Sequence, residues 1–288
     1  MGTSGSSRGT GNKKSLIPTF VGGSAGEPLP GGDGPPNQDG SDGTGGNSAS
    51  PDQGQPPIPP AAPDNRFSSA RRNFSTFAAS GGNDQRALRR AVRDYVRSGY
   101  GNSRNATRAM GASRSSAANV LGVLRGLSRD GINQTLNRFN LSGLAGQPAS
   151  EVLAALTDVI CEDGGTLDEA VAREAWLETV VAVETAGITD IDAMTAEQFR
   201  EVFLTFISQS LQAKLFQEIG VNGFKVADMD EIRAFESQFR NYVDGRVRDS
   251  FNNDLSDLAN MSDERIRAVV EQTYRDAWEL FVTWGDSA

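Results

Sequence analysis

Five arginines, Arg86, Arg89, Arg90, Arg93 and Arg97, fall at i, i+3, i+4, i+7 and i+11. At the angular step of an α-helix they share one arc, opposite Leu88, Ala91, Val92 and Tyr95. A guanidinium fork pairs two oxygens at once, so a row of them suits phosphates or carboxylates. That gives a basic interaction face for a nucleic-acid backbone or an acidic protein surface. The alternative without a partner is a solvated face, or pairing with the chain's own acids. Few aromatic residues interleave with the arginines, which argues against binding of single strands by base stacking.

The second group that could do chemistry is the amine of Gly2. Met1-Gly2-Thr3-Ser4-Gly5-Ser6 is a sequence from which the initiator methionine is expected to be removed. An α-amino group titrates near pH 7.7–8, so a useful fraction is neutral and nucleophilic at neutral pH. Glycine has no Cβ to obstruct a narrow active site. The same residues match an N-myristoylation signal, with Arg8, Lys13 and Lys14 as a weak basic second signal. Small residues after Met are also simply common.

Other chemistry is excluded by composition. The chain has no histidine, which removes Ser-His-Asp and Cys-His catalysis and every His-ligated metal site. A single cysteine, Cys161, allows no intrachain disulfide and no cysteine-cluster zinc site. It ends an apolar helical face and is followed by Glu162 and Asp163, whose charge disfavours a thiolate, so it reads as an inert packed residue. Asp190-Ile191-Asp192 and Asp228-Met229-Asp230-Glu231 could ligate a divalent cation, but both precede expected helices, where acids are ordinary. No metal site and no bound cofactor of its own is expected. Gly9-Thr10-Gly11-Asn12-Lys13-Lys14-Ser15 lacks the glycine before lysine that a phosphate loop requires.

The elements that must position these residues fall into three parts. Residues 1–65 hold 11 of the 12 prolines and 15 of the 32 glycines, and they cannot bury enough apolar surface to fold alone. A disordered tail is expected there, ending in the stiff spacer Gln55 to Pro60. Its r.m.s. reach is roughly 40–50 Å. Within it Leu16, Ile17, Pro18 and Phe20 form an apolar cluster that reads either as an extended docking motif or as chance. Residues 66–140 carry 14 basic and 3 acidic side chains, and residues 141–288 carry 11 basic and 28 acidic. The net charge of −9 hides that division. The joint is expected at Asn140 to Pro148.

From Arg66 onward the periodicity is helical throughout. Helices are expected near 66–80, 84–99, 103–111, 114–129, 131–139, 149–161, 167–186, 195–219, 228–258 and 262–284. Thr166 to Glu169 and Thr195 to Gln198 read as capping boxes, and Ser262 as an N-cap. Gly131, Gly187, Gly220 and Gly285 stand where helices should stop. No strand alternates convincingly. The expected fold is therefore all-α, a multi-helix body behind a long tail, with 66–288 as one domain or two. No signal peptide and no membrane span is expected, and a reducing cytoplasm fits the cysteine count.

Several blocks together carry a resemblance. Asn65-Arg66-Phe67, Ala70-Arg71-Arg72-Asn73-Phe74, Arg89-Arg90-Ala91-Val92, Leu141-Ser142-Gly143-Leu144, Gly164-Gly165-Thr166-Leu167-Asp168-Glu169 and Gly187-Ile188-Thr189-Asp190 stand behind the Met-Gly-Thr-Ser opening. With them the chain resembles the QatB family, the B component of the Qat anti-phage defence system, over essentially its whole length. The resemblance implies a setting beside an ATPase, a QueC-like enzyme and a TatD-like nuclease. QueC-type enzymes activate the carboxyl group of a 7-deazaguanine with ATP for attack by an amine, so it implies that Gly2 is an acceptor. It supplies no catalytic residue. The expectation is a non-enzymatic protein substrate and adaptor whose Gly2 receives a 7-deazaguanine. The runner-up is a nucleic-acid-binding subunit that uses Arg86 to Arg97, and a third reading is a lipid-anchored adaptor.

Overall fold

The computed structural model describes residues 65–161, 165–219, 229–251 and 255–287, and the backbone alone for 229–235. The expected tail, Gly2, the Leu16–Phe20 cluster, Gly220 and Asp228 lie outside these residues.

Among the described residues ten α-helices follow one another: α1 Ser68–Ala79, α2 Gln85–Asp94, α3 Ser103–Arg108, α4 Gly111–Arg138, α5 Ala149–Ala155, α6 Thr157–Ile160, α7 Leu167–Thr185, α8 Ala196–Ile219, α9 Met229–Ser250 and α10 Asp263–Asp286. A π-helical stretch, Tyr95–Tyr100, extends α2, and single 3-10 turns lie at Ser142–Leu144 and Leu258–Asn260. Among the described residues there is no strand, as the periodicity implied.

The helix starts follow from local chemistry. Thr166 accepts from the Glu169 amide, while the Glu169 carboxylate accepts from the amides of Thr166 and Gly165. Those amide contacts, Thr166 first, hold the Glu169 carboxyl below the usual range. Thr195 and Gln198 make the same reciprocal pair ahead of α8. Ser262 caps α10 through the Arg265 amide. Gly187, at φ 72°, follows the end of α7 in the left-handed region.

Several boundaries differ: the helix expected at 149–161 is two, α5 and α6, and the one expected to reach 258 ends at Ser250. α4 is two helical stretches separated at Gly131 (φ 76°, ψ 172°), as the helices expected at 114–129 and 131–139 and the stop expected at Gly131 implied. The amide freed by that break, on Ile132, donates to the Asp192 carboxylate at 3.2 Å. Gly285 does not stop α10, which runs one residue past it to Asp286. A Cβ there would sit 2.3 Å from the Arg93 Cβ and 2.8 Å from the Arg89 carbonyl oxygen. The glycine is there because α2 and α10 approach closely, not because a helix ends.

The core is continuous from Phe67 to Phe281. α8 buries residues along its whole length, Ser208, Ser210 and Gln212 among them, and packs against α7, α9 and α4. α10, last in the chain, packs against α2 and α3, which are among the first, and also against α4 and α9. The basic and acidic stretches therefore share one core. The residues around the expected joint form a turn, with Asn140 and Gly146 at positive φ and the Ala149 amide donating to the Thr189 carbonyl.

Candidate functional site

α2 carries the arginine row. Asp84 opens the helix by accepting from the Ala87 amide at 3.0 Å. Ala87, Leu88, Ala91, Val92 and Tyr95 are buried against α1 and α10. The other side of the helix is left to the arginines. Three of the five turn to the last residues of α10. The Arg89 guanidinium lies 3.7 Å from the centre of the Trp284 ring. Arg93 holds Asp94 through two nitrogens at 2.8 and 3.0 Å and donates to the Gly285 carbonyl at 3.3 Å. Arg97 pairs with Asp286 at 2.6 Å. The carbonyl end of a helix carries partial negative charge, which favours cations there. Arg86 and Arg90 have no ion-pair partner among the described residues; Arg86 is exposed and Arg90 half-buried. The row is thus divided between three arginines that fasten α10 and two that do not.

Asp94 extends this fastening to α1. It is buried, and besides Arg93 it accepts from the Ser69 hydroxyl and from the Asn73 amide nitrogen at 2.9 Å. The charge is covered by three partners on two helices.

A second polar cluster was not expected from the sequence. The Glu218 carboxylate, in the last turn of α8, is about 10 % exposed. It accepts from Tyr95 at 2.7 Å and from Tyr100 at 2.5 and 2.6 Å. Lys214, one turn earlier, lies 3.1 Å away and also reaches Asp168 at the start of α7. Arg66 stands 3.6 Å from Glu218 and over the rings of Phe67 and Tyr100. Arg71 donates to the carbonyls of Glu218 and Ile219, which satisfies the end of α8. Burial, and then the neighbouring tyrosine and Glu218, push the Tyr95 hydroxyl well above its ordinary value. Burial and then Glu218 do the same for Tyr100. Both therefore stay protonated and donate. The cluster joins Arg66, Phe67 and α1 to the π-helical stretch, α7 and α8, and every charge in it has its partner inside the protein. The one sequence signal was Lys214 and Glu218 at i, i+4.

The remaining candidates are structural. Asp192 caps the second stretch of α4, and the Asp190 carboxylate accepts from the Asp192 amide. Neither belongs to a group of three potential metal ligands among the described residues. Cys161 is buried, its thiol is directed to the Ala172 carbonyl, and burial pushes its pKa up. A cleft of about 210 Å³ opens between α4, α8 and the turn at Leu258, lined by Leu127, Ile191, Met194 and Phe199 among others. It holds no pair of groups poised for proton transfer. No helix among the described residues is long and apolar enough to cross a membrane.

Residues 101–281 match the family model described as Qat anti-phage system associated protein QatB. The matched span runs from just before α3 to within α10, so Arg86 to Arg97 and Gly2 lie outside it while α7 lies inside. No curated protein and no solved structure matches the chain.

Proposed function

The chain belongs to the QatB family of anti-phage Qat system proteins, and from that premise we propose that it is a non-enzymatic component of a cytoplasmic defence assembly whose Gly2 amine is conjugated to a 7-deazaguanine. Membership in the system implies other Qat components as partners. The partner for this step is a QueC-like enzyme. It activates the 7-deazaguanine carboxyl group with ATP, forming an acyl adenylate and releasing pyrophosphate. The neutral Gly2 amine attacks the acyl carbon, an amide forms, and AMP and a proton leave. The chain supplies the nucleophile and the reach, and it needs no catalytic residue or cofactor of its own. The observation that carries this reading is the Met1-Gly2-Thr3-Ser4 opening ahead of a stretch holding 11 of the 12 prolines, in a chain of this family. The helical body, with its polar clusters closed on themselves, acts as an adaptor for the ATPase and, in the same assembly, the TatD-like nuclease.

The test is the intact mass and N-terminal peptide mass of the protein made with and without the QueC-like component. An adduct on Gly2 that needs the partner and is absent in Gly2→Glu is expected. An unmodified Gly2 beside an active partner would overturn the reading.

A second reading, a nucleic-acid-binding subunit, is favoured by one observation, the absence of ion-pair partners for Arg86 and Arg90 among the described residues. It requires DNA or RNA retention that falls steeply with salt and is lost in Arg86→Glu/Arg90→Glu. No retention near physiological salt would exclude it.

A further inference from the structure

The outer side of α7 carries an apolar seam that nothing in the described fold covers. Val171, Ala175, Trp176, Thr179 and Val183 face inward, against α8, α4 and α5. The opposite side of such a helix is ordinarily polar. Here Leu167, Leu177 and Val181 lie on it at 55 %, 46 % and 53 % exposure, the exposed large apolar side chains among the described residues.

Their spacing is regular. Leu167, Ala170, Glu174, Leu177 and Val181 follow one another at intervals of three, four, three and four. These are the a and d positions of a heptad repeat, the pattern that holds two helices together along a seam. The seam is about 21 Å long. An isolated helix of two heptads is marginal in water. α7 does not have that difficulty, because its capping box and its packing on α8 already fix it.

The seam also states what it should meet. Glu174 occupies one of its core positions and is half-buried, and Glu178 follows one turn later. Neither has an ion-pair partner among the described residues, whereas Arg173 beside them pairs with Asp158. Burial, and then the like charge of Glu178, push the Glu174 carboxyl up. A second copy of this chain would set acid against acid across the seam, which costs stability. Residues 141–288 are acidic overall, which sharpens that mismatch.

We propose that the outer face of α7 is one half of a two-helix coiled coil. The other half is an amphipathic helix of another component of the assembly. It meets Leu167, Leu177 and Val181 with aliphatic side chains and Glu174 with a Lys or Arg. The proposal rests on membership of an assembly and not on conjugation of Gly2.

The test uses the full chain and the purified ATPase, QueC-like and TatD-like components, with affinity measured for each. Leu177→Asn/Val181→Asn is expected to weaken binding of one component by roughly tenfold or more, as for apolar anchors at the centre of an interface. Its circular dichroism and Tm should match those of the parent. Glu174→Lys should weaken the same component, and Glu174→Gln should flatten the salt dependence of that complex. Unchanged affinity for every component, no complex with any of them, or a dimer in solution that these substitutions dissolve would each overturn the proposal. The Gly2 adduct is read separately by mass, so failure of one reading is distinguishable from failure of the other.

Discussion

α2 and α7 each have one side in the common core, and they differ in what lies on the other side and in what meets it. On α2 the outward arginines Arg89, Arg93 and Arg97 meet Trp284, Gly285 and Asp286 at the end of α10. On α7 the outward Leu177 and Val181 meet solvent, and Glu174 lacks an ion-pair partner among the described residues. A row of charges that looks like a binding face is largely consumed by the fold. An aliphatic row that looks like core is left outside. Side-chain type and spacing alone do not separate a face used within the protein from a face left for something else. What separates them is whether another element arrives to cover it.

Four measurements would sharpen or break this contrast, the first of which probes the polar interior on the α2 side. All four tyrosines of the chain, Tyr95, Tyr100, Tyr242 and Tyr274, have pKa values raised by burial. Below their ordinary value near 10 they are protonated in both the folded and the unfolded chain, and they give stability no dependence on pH. Above it only the unfolded chain releases the proton, so stability falls by about 1.4 kcal/mol per pH unit for each tyrosine. Urea unfolding between pH 8 and 11 should show a plateau and then a steep loss, with tyrosinate absorbance rising together with unfolding. Tyrosinate formation in the native state near pH 10 would show an open interior instead.

The next effect in size concerns Glu218. Glu218→Leu leaves two tyrosine hydroxyls without their acceptor in a buried site, and Lys214 with Asp168 alone. Removing one partner of a buried pair costs about 3 kcal/mol or more. Equilibrium unfolding measures it; a loss under about 1 kcal/mol would mean that the cluster is solvated in practice.

Gly285 gives a test by sign. If it merely ended a helix, Gly285→Ala would be neutral or would gain about 1 kcal/mol from helix propensity. The close approach of Arg93 and of the Arg89 carbonyl predicts a loss of about 1–3 kcal/mol instead, and a lower Tm.

The smallest effects belong to the open surfaces. Leu177→Asn on α7, and Arg86→Glu on the unpaired part of α2, should each change stability by less than about 0.5 kcal/mol. A larger loss at Leu177 would show that something within the chain covers the seam.

Much of the fold was legible because it is set by local chemistry. The capping boxes at Thr166 and Thr195 and the Ser262 cap are each completed within three residues, so the sequence contains both partners. The helical periods followed for the same reason. The break at Gly131 was legible too, but the group that satisfies the freed amide was not, because Asp192 lies some 60 positions later. The Glu218 cluster was missed in the same way. Its two tyrosine donors lie on the π-helical stretch beyond α2, more than a hundred positions away. Seen alone, Tyr95 is an apolar-face residue and Glu218 an ordinary charge at a helix end.

The candidate sites divide along the same line. The sequence by itself determined two kinds of chemistry that the chain cannot perform. Without histidine and with one buried cysteine, it holds neither a histidine-based catalytic group nor a cysteine cluster for metal. It also determined the all-helical body, since helix formation depends on neighbours three and four positions apart. The tertiary structure alone decided which charged and apolar faces remain for partners. That outcome depends on α10 returning from the far end of the chain to cover α2 and on no described element reaching the outer side of α7. Local patterns fix the helices, but the meeting of distant helices fixes which of their faces stay open, because burial is a property of the assembled core and not of any one segment.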